Sequence, residues 1–473
     1  MRIDASSRTT HFLFRPWLYF ALAAFSSCLP RTFAAAETPV LSLSRAVEIA
    51  VQADPWLTAS RAKQKGLEAQ SRAVQGLPNP KLSFSAMNLP TDSFRFNQES
   101  MTQLNVGVSQ MFPRGDTRAL RSQEMMEKSH ALPFSQLDRQ ADVTATVSQL
   151  WLDAYKAERT IALITDNRAL FEQLVEIARA NYAAALGRTR QQDIIRAQLE
   201  LTSLDNRLSD LEERRAVAQQ KLAGWMAGTE SVASDMLGVG VFGKTGFRLT
   251  PELPDFANNL LIQLRGIPSQ PTLDIDRILA GHPAIRALDQ NITAATTGRE
   301  LSAQQYKPEW GLTAAYSYRD NAPTGLYRAD FFSIGLTIDI PILQRHQTDA
   351  SVQAAAASIE SLQAERRLTL RNLRTSMLAE VALLEGLSTR LALYQEELLP
   401  QFDEYAEATL TAYTNDESAF VEVVRARIDL LNAKISALAL AVDQRKAMAR
   451  LDYLWPRPLI QAETQAAFRG EQP

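Results

Sequence analysis

The chain repeats itself at half length. Pro55 recurs as Pro283, Pro80 as Pro308, Gly107 as Gly335 and Pro113 as Pro341, all at an offset of 228. After one inserted residue the register resumes at 229, with Arg196-Ala197 over Arg425-Ala426 and Leu222 over Leu451. Proline fixes φ and glycine admits backbone that other residues avoid, so their shared spacing implies a shared backbone path. A period this long exceeds any solenoid unit. It predicts two structural copies of a half-protein, joined in one continuous body of 473 residues.

The amino terminus reads as an export signal over residues 1–36. Arg2, Arg8 and Arg15 lead into the apolar run from Trp17 to Phe25, and Ala34-Ala35-Ala36 supplies a small-x-small cleavage site. The apolar run is too short to cross a bilayer as a helix. The one cysteine, Cys28, ends Phe25-Ser26-Ser27-Cys28, which loosely resembles a bacterial lipobox with Phe in place of Leu. Two outcomes stay open: cleavage near Ala36, which leaves no cysteine to form disulfides, or lipidation of Cys28.

Each copy is expected to hold a short helix, two strands, a very long helix, a break and a second long helix. The first copy spans 37–226, with a helix from Leu43 to about Val74, strands at about 81–89 and 103–112, and helices at about 115–186 and 190–226. The second spans 273–455, with strands at about 308–318 and 331–341 and helices at about 345–413 and 417–455. In the strands, Leu82, Phe84 and Ala86 alternate with Lys81, Ser83 and Ser85, and Phe332, Ile334, Leu336 and Ile338 alternate with Ser333, Gly335, Thr337 and Asp339. The long helices carry apolar seams at near-heptad spacing, such as Leu370, Leu373, Met377, Leu384, Leu387 and Leu391. Rods of about fifty residues are roughly 75 Å long and need partner helices along their length. Turns near Gly187-Arg188-Thr189 and Asn415-Asp416-Glu417 close two antiparallel helical hairpins. The inter-repeat segment 227–272 is read as a compact equatorial elaboration, and 456–473 as a loosely ordered tail.

Strands of about ten residues with an uncharged apolar face suit a tilted bilayer crossing. Four strands cannot close a barrel, and open edges are not tolerated in lipid, so a membrane sheet of this kind requires several protomers. A soluble sheet lying on a helical body gives the same alternation. The export signal and the length of the helices favour the membrane reading.

Four stretches then carry a family resemblance: Gly76-Leu77-Pro78-Asn79-Pro80-Lys81-Leu82, Ser109-Gln110-Met111-Phe112-Pro113-Arg114-Gly115, His282-Pro283-Ala284-Ile285-Arg286, and Ile338 through Gln347. With the whole-chain repeat, they make the chain resemble the TolC-like outer-membrane efflux family, and within it the CzcC-like branch of heavy-metal efflux. The resemblance implies an α+β membrane protein whose trimer completes a 12-stranded barrel in the outer membrane of a Gram-negative bacterium. Long coiled-coil helices would continue that barrel as a tunnel through the periplasm. It also implies a periplasmic adaptor (membrane fusion protein) and an inner-membrane resistance-nodulation-division pump as partners, with no cofactor. A drug-efflux or type I secretion duct, or a periplasmic coiled-coil adaptor or scaffold, remain the alternatives.

With a net charge of −3 the chain has no general basic surface to recruit nucleic acid. It shows no phosphate-binding glycine loop with a lysine and no nucleophile arrangement, so it does not read as an enzyme. His11, His130, His282 and His346 are scattered in sequence, and Met125-Met126 diverge by about 100° on a helix, which favours packing over metal ligation. The resemblance points instead to acids just past the hairpin turns. Asp193 and Glu422 match at offset 229 and fall where family members carry acids at the periplasmic constriction, where rings of acid would attract cations. A second acid is often found about three residues on; here Arg425 stands in that place, which leaves open a latch onto a glutamate of another helix or a weaker preference for cations, and a solvated helix surface would carry the same charges. The hairpin tips Gly187, Arg188, Thr189, Asp416 and Glu417 are the expected adaptor contacts.

Overall fold

The computed structural model describes residues 40–183, 190–227, 247–256, 271–415 and 417–455, all within the compact unit Pro39–Pro473. Prolines and caps set the element boundaries. Helix α1 (Leu43–Ala53) starts at Ser42, whose hydroxyl accepts from Arg45 N at 3.3 Å. The expected single helix from Leu43 to Val74 is two helices. Asp54 leaves the helical region with ψ 112°, and Pro55 begins α2 (Pro55–Ala73) at a position where its missing N–H costs nothing. The second copy breaks at the matching proline, with α5 (Pro271–Leu279) and α6 (Pro283–Ala303) separated by a short turn that ends in the cap residue His282.

The strands β2 (Lys81–Met87), β3 (Gln103–Phe112), β5 (Glu309–Tyr318) and β6 (Phe331–Asp339) form one antiparallel sheet in the order β2-β3-β5-β6. Its centre joins the two copies, with Val106 opposite Tyr316 and Phe112 opposite Trp310. One face is apolar and uncovered: Phe84, Phe332 and Ile334 are each about seven-tenths exposed. Gln110 interrupts that face and donates to the carbonyl of Pro78 at 2.8 Å. The opposite face is small and polar. A Cβ on Gly107 would meet Ser83 Oγ at 2.8 Å, so that face has no room for bulk there. Strands β2 and β6 are its open edges.

From this sheet the chain enters two long rods. Helix α3 (Thr117–Ala183) has 67 residues, about 100 Å of helix, and returns through α4 (Gln191–Met226). Helix α7 (Arg345–Leu393) passes through one π turn (Tyr394–Leu398) into α8 (Leu399–Thr414), and α9 (Phe420–Leu454) returns. Helix α3 packs against α2, α4, α6 and α9, and α7 against α6 and α9. The predicted seam is buried at Leu373, Met377, Leu384, Leu387 and Leu391, against Leu440, Met448 and Leu451 of α9. A second core near the hairpin ends joins Ile164, Phe171 and Val175 to Ala197, Leu204, Phe420 and Val424.

A third core lies around Trp151 and Tyr155 of α3, which stack at 5.4 Å. Here a two-residue parallel pair, β1 (Val40–Leu41) with β4 (Arg248–Leu249), is too short for alternation to mark. Trp151 Nε1 donates to the Leu41 carbonyl at 3.2 Å and Tyr155 Oη to that of Pro251 at 3.1 Å. The signal segment, Cys28, most of the inter-repeat segment and the tail beyond residue 455 lie outside the described residues.

Candidate channel gate and the node behind it

The hairpin ends stand at the opposite end of α3 from the sheet. Asp193 is the third residue of α4, a position where a carboxylate can reach back to the uncapped N–H groups of the first turn. It does so: Asp193 Oδ2 accepts from Arg190 N at 2.8 Å, and the side chain is buried. Glu422 is its counterpart in α9, anchored by Glu422 N to the Ala419 carbonyl at 3.0 Å. Its carboxylate is not a cap. Arg425 Nη1 lies 3.4 Å from Glu422 Oε1, one turn on in the same helix, with both side chains about half exposed. The arginine therefore pairs within α9 and not across to another helix.

The turn is stiffened from both sides. Glu417 N donates to the Ala412 carbonyl at 2.7 Å, and Tyr413 meets Phe420 edge-on at 5.8 Å. Arg427 binds Glu407 at 2.8 Å between α8 and α9, Arg168 binds Asp205 at 3.0 Å between α3 and α4, and Arg207 donates to Asn432 at 2.9 Å between α4 and α9. Gly187, Arg188, Thr189 and Asp416 lie outside the described residues; Glu417 is exposed at the tip.

The histidines do not converge. His130 sits in α3 and His346 in the first turn of α7, and among the described residues no three of His, Cys, Asp or Glu are placed to hold a metal ion. His282 has a structural assignment. It is almost fully buried, its Nδ1 accepts from Ala284 N at 3.3 Å, and its Nε2 lies 3.1 Å from the Tyr453 carbonyl. A carbonyl can only accept, so Nε2 carries the proton and Nδ1 is the bare acceptor. Burial lowers the basicity of this imidazole, and Asp138, whose Oδ1 is 3.9 Å from Nδ1, opposes that effect. Asp138 itself is pushed upward by burial, opposed by His282 and by a 3.3 Å hydrogen bond from Tyr453 Oη.

The next residue on α3 serves the other copy. Arg139 Nε binds Asp54 Oδ2 at 2.7 Å, while Asp54 Oδ1 caps α2 at Trp56 N at 2.9 Å, and the guanidinium lies over the Trp225 ring at 5.4 Å. Arg139 thus holds the cap of the first repeat, while Asp138, bonded to Tyr453 Oη, stands beside the cap of the second at the same point of α3. The sequence offered a signal for this node: Asp54-Pro55 and His282-Pro283 share the offset of 228.

Residues 275–455, the second repeat, match the outer membrane efflux protein family. No curated protein matches by sequence. Solved structures match over nearly the whole length. CusC shares 14% identity at a TM-score of 0.67, covering 88% of this chain and 92% of its own. The outer membrane protein VceC from Vibrio cholerae shares 15% at 0.65, over 88% and 97%. The Campylobacter jejuni outer membrane channel CmeC shares 12% at 0.67, over 90% and 89%. Residues 275–455 therefore carry the sequence signature of the outer membrane efflux protein family, and the chain as a whole has the fold of CusC, VceC and CmeC.

Proposed function

We propose that this chain is the passive exit duct of a tripartite resistance-nodulation-division efflux system for heavy-metal cations. The carrying observation is the sheet: four strands with a wholly uncovered apolar face and two open edges satisfy neither water nor lipid until further copies close them. Three copies would give a 12-stranded barrel, with the long rods continuing it as a tunnel. A periplasmic adaptor would grip the hairpin tips, Glu417 among them, and an inner-membrane pump would supply the energy. At the narrow end, Glu422 and Arg425 would present paired charges to the passing ion, while Asp193 holds the first turn of α4 in place. The metal assignment rests on the four CzcC-like stretches, two of which lie where a strand turns into a helix, one where α2 gives way to β2 and one at the cap of α6.

The test is the tolerance of a deletion strain to zinc, cobalt, cadmium, copper and silver, with dyes and antibiotics in parallel. Selective metal sensitivity restored by the intact gene is the expected result. Sensitivity to dyes and drugs alone would overturn the cation assignment and move the duct to drug export.

A further inference from the structure

Where β3 turns into α3, the chain packs onto its own entrance to β5. Arg114 Nη1 donates to the carbonyls of Gln305 and Lys307 at 3.3 and 3.1 Å. Lys307 Nζ lies 3.1 Å from Asp116 Oδ2, and Asp116 N donates to Gln304 Oε1 at 3.1 Å. The approach is tightest at Gly115, where φ is +45° and a Cβ would overlap the side chains of Lys307 and Gln304.

The repeat writes this contact a second time with both halves unpartnered. At the same offset, Arg114, Gly115 and Asp116 become Ile342, Leu343 and Gln344, just after β6. Gln304, Gln305 and Lys307 become Gly76, Leu77 and Asn79, just before β2. These segments flank opposite edges of the sheet, so one chain cannot bring them together. Both stand bare: Leu343 is 97% exposed, Ile342 68% and Leu77 44%. The bulk has changed sides. Gly115 faces Gln304 within the chain, whereas in the second version Leu343 would face Gly76, where a Cβ would meet only the Ala73 carbonyl at 3.9 Å. The sheet is antiparallel throughout, so the exit of β6 and the entrance of β2 lie at the same end, as the exit of β3 and the entrance of β5 do.

We infer that Ile342-Leu343 of one copy clasps Gly76-Leu77 of the next, reproducing between copies the joint that Arg114-Gly115 makes with Gln304-Gln305 inside one. The inference rests on the reading that several copies share one barrel, and adds where they are fastened. The collar between barrel and helices then has two kinds of joint in alternation. The internal one is polar, closed by Arg114 with Asp339 and Lys307 with Asp116. The one between copies is apolar and forms only when water is expelled.

The full-length chain carrying Leu77→Cys and Leu343→Cys tests this. Oxidised in its membrane, it should give a reductant-sensitive ladder of cross-linked copies, and neither single variant should. The mass of the reduced particle in detergent separates the failures. A multimer without cross-links overturns the clasp and leaves the shared barrel standing; a monomer overturns both. Leu343→Arg keeps the test independent of cysteine chemistry, because among the described residues that side chain stands almost wholly exposed. It should raise the dissociated fraction at least tenfold on heating, against Tyr327→Arg as a control of similar exposure. No change would overturn the clasp. So would a fluorophore at Leu343→Cys that brominated lipid quenches as strongly as one at Ile334→Cys, because lipid would then cover the site.

Discussion

In front of the same proline the repeat carries aspartate at position 54 and histidine at 282, and the second cap is thereby exposed to protonation. His282 accepts from Ala284 N through its bare Nδ1; a proton there turns acceptor into donor and sets two N–H groups against each other. Burial holds the imidazole below its ordinary 6.5, so the unfolded chain binds that proton more tightly than the folded one. Stability from this site is intact above about pH 6.5 and is lost as pH falls through the folded value. Asp138 has the opposite sign, since burial lifts it above 3.8 and stability returns as it protonates at lower pH. We expect the thermal midpoint to fall between pH 7.5 and 5.5 and His282→Asn, which keeps a capping acceptor, to flatten that fall. An unchanged slope in the variant would sink the assignment. The repeat marked the two caps in sequence, at Asp54-Pro55 and His282-Pro283, but not their partners on α3, because Asp138 and His282 lie far apart in the chain and only packing joins them. Asp193 shows the reverse case: its equivalence with Glu422 was legible, but its capping role depends on where α4 begins.

At the scale of elements, alternation and proline spacing located the strands and rods well, because a two-residue period and a missing N–H act locally. They missed the division between α1 and α2, where a proline that ends one helix also starts the next. They also missed what Pro400 does. A proline inside a helix removes one hydrogen bond and its ring crowds the carbonyl four residues back, costing about 3 kcal/mol. The chain meets this with the π turn at Tyr394–Leu398, which lets the rod continue into α8. The matching stretch of α3, around Phe171 and Glu172, has no proline and stays α-helical. Pro400→Ala should restore plain α-helix and raise stability by up to about 3 kcal/mol. Calorimetry checks it, and a lower midpoint would show that the π turn is set by packing and not by the proline.

For the whole molecule, the exposed apolar face fixes the environment. Ile334 stands in the middle of β6 with 71% of its surface uncovered, so an arginine there disturbs no packing within the chain. Near the middle of a bilayer it would cost about 2–4 kcal/mol. Ile334→Arg should cut the fraction of chain that resists alkaline extraction, while helix content measured by circular dichroism holds. Equal extraction of variant and parent would place that face elsewhere than in lipid. The repeat made this architecture readable at a glance; the fastening of its halves was not, because it depends on contacts that the repeat brings together only in three dimensions. One such fastening has a mechanical meaning. Asp138 and Arg139 leave α3 about 100° apart, and each bonds a different repeat, Asp138 through Tyr453 and Arg139 through Asp54, which resists turning of the helix about its own axis. Twist applied at the hairpins cannot be shed at that point. The roughly 65 Å of rod beyond Arg139 takes it up as torsion, which insulates the collar and strands on the other side from motion at the far tip.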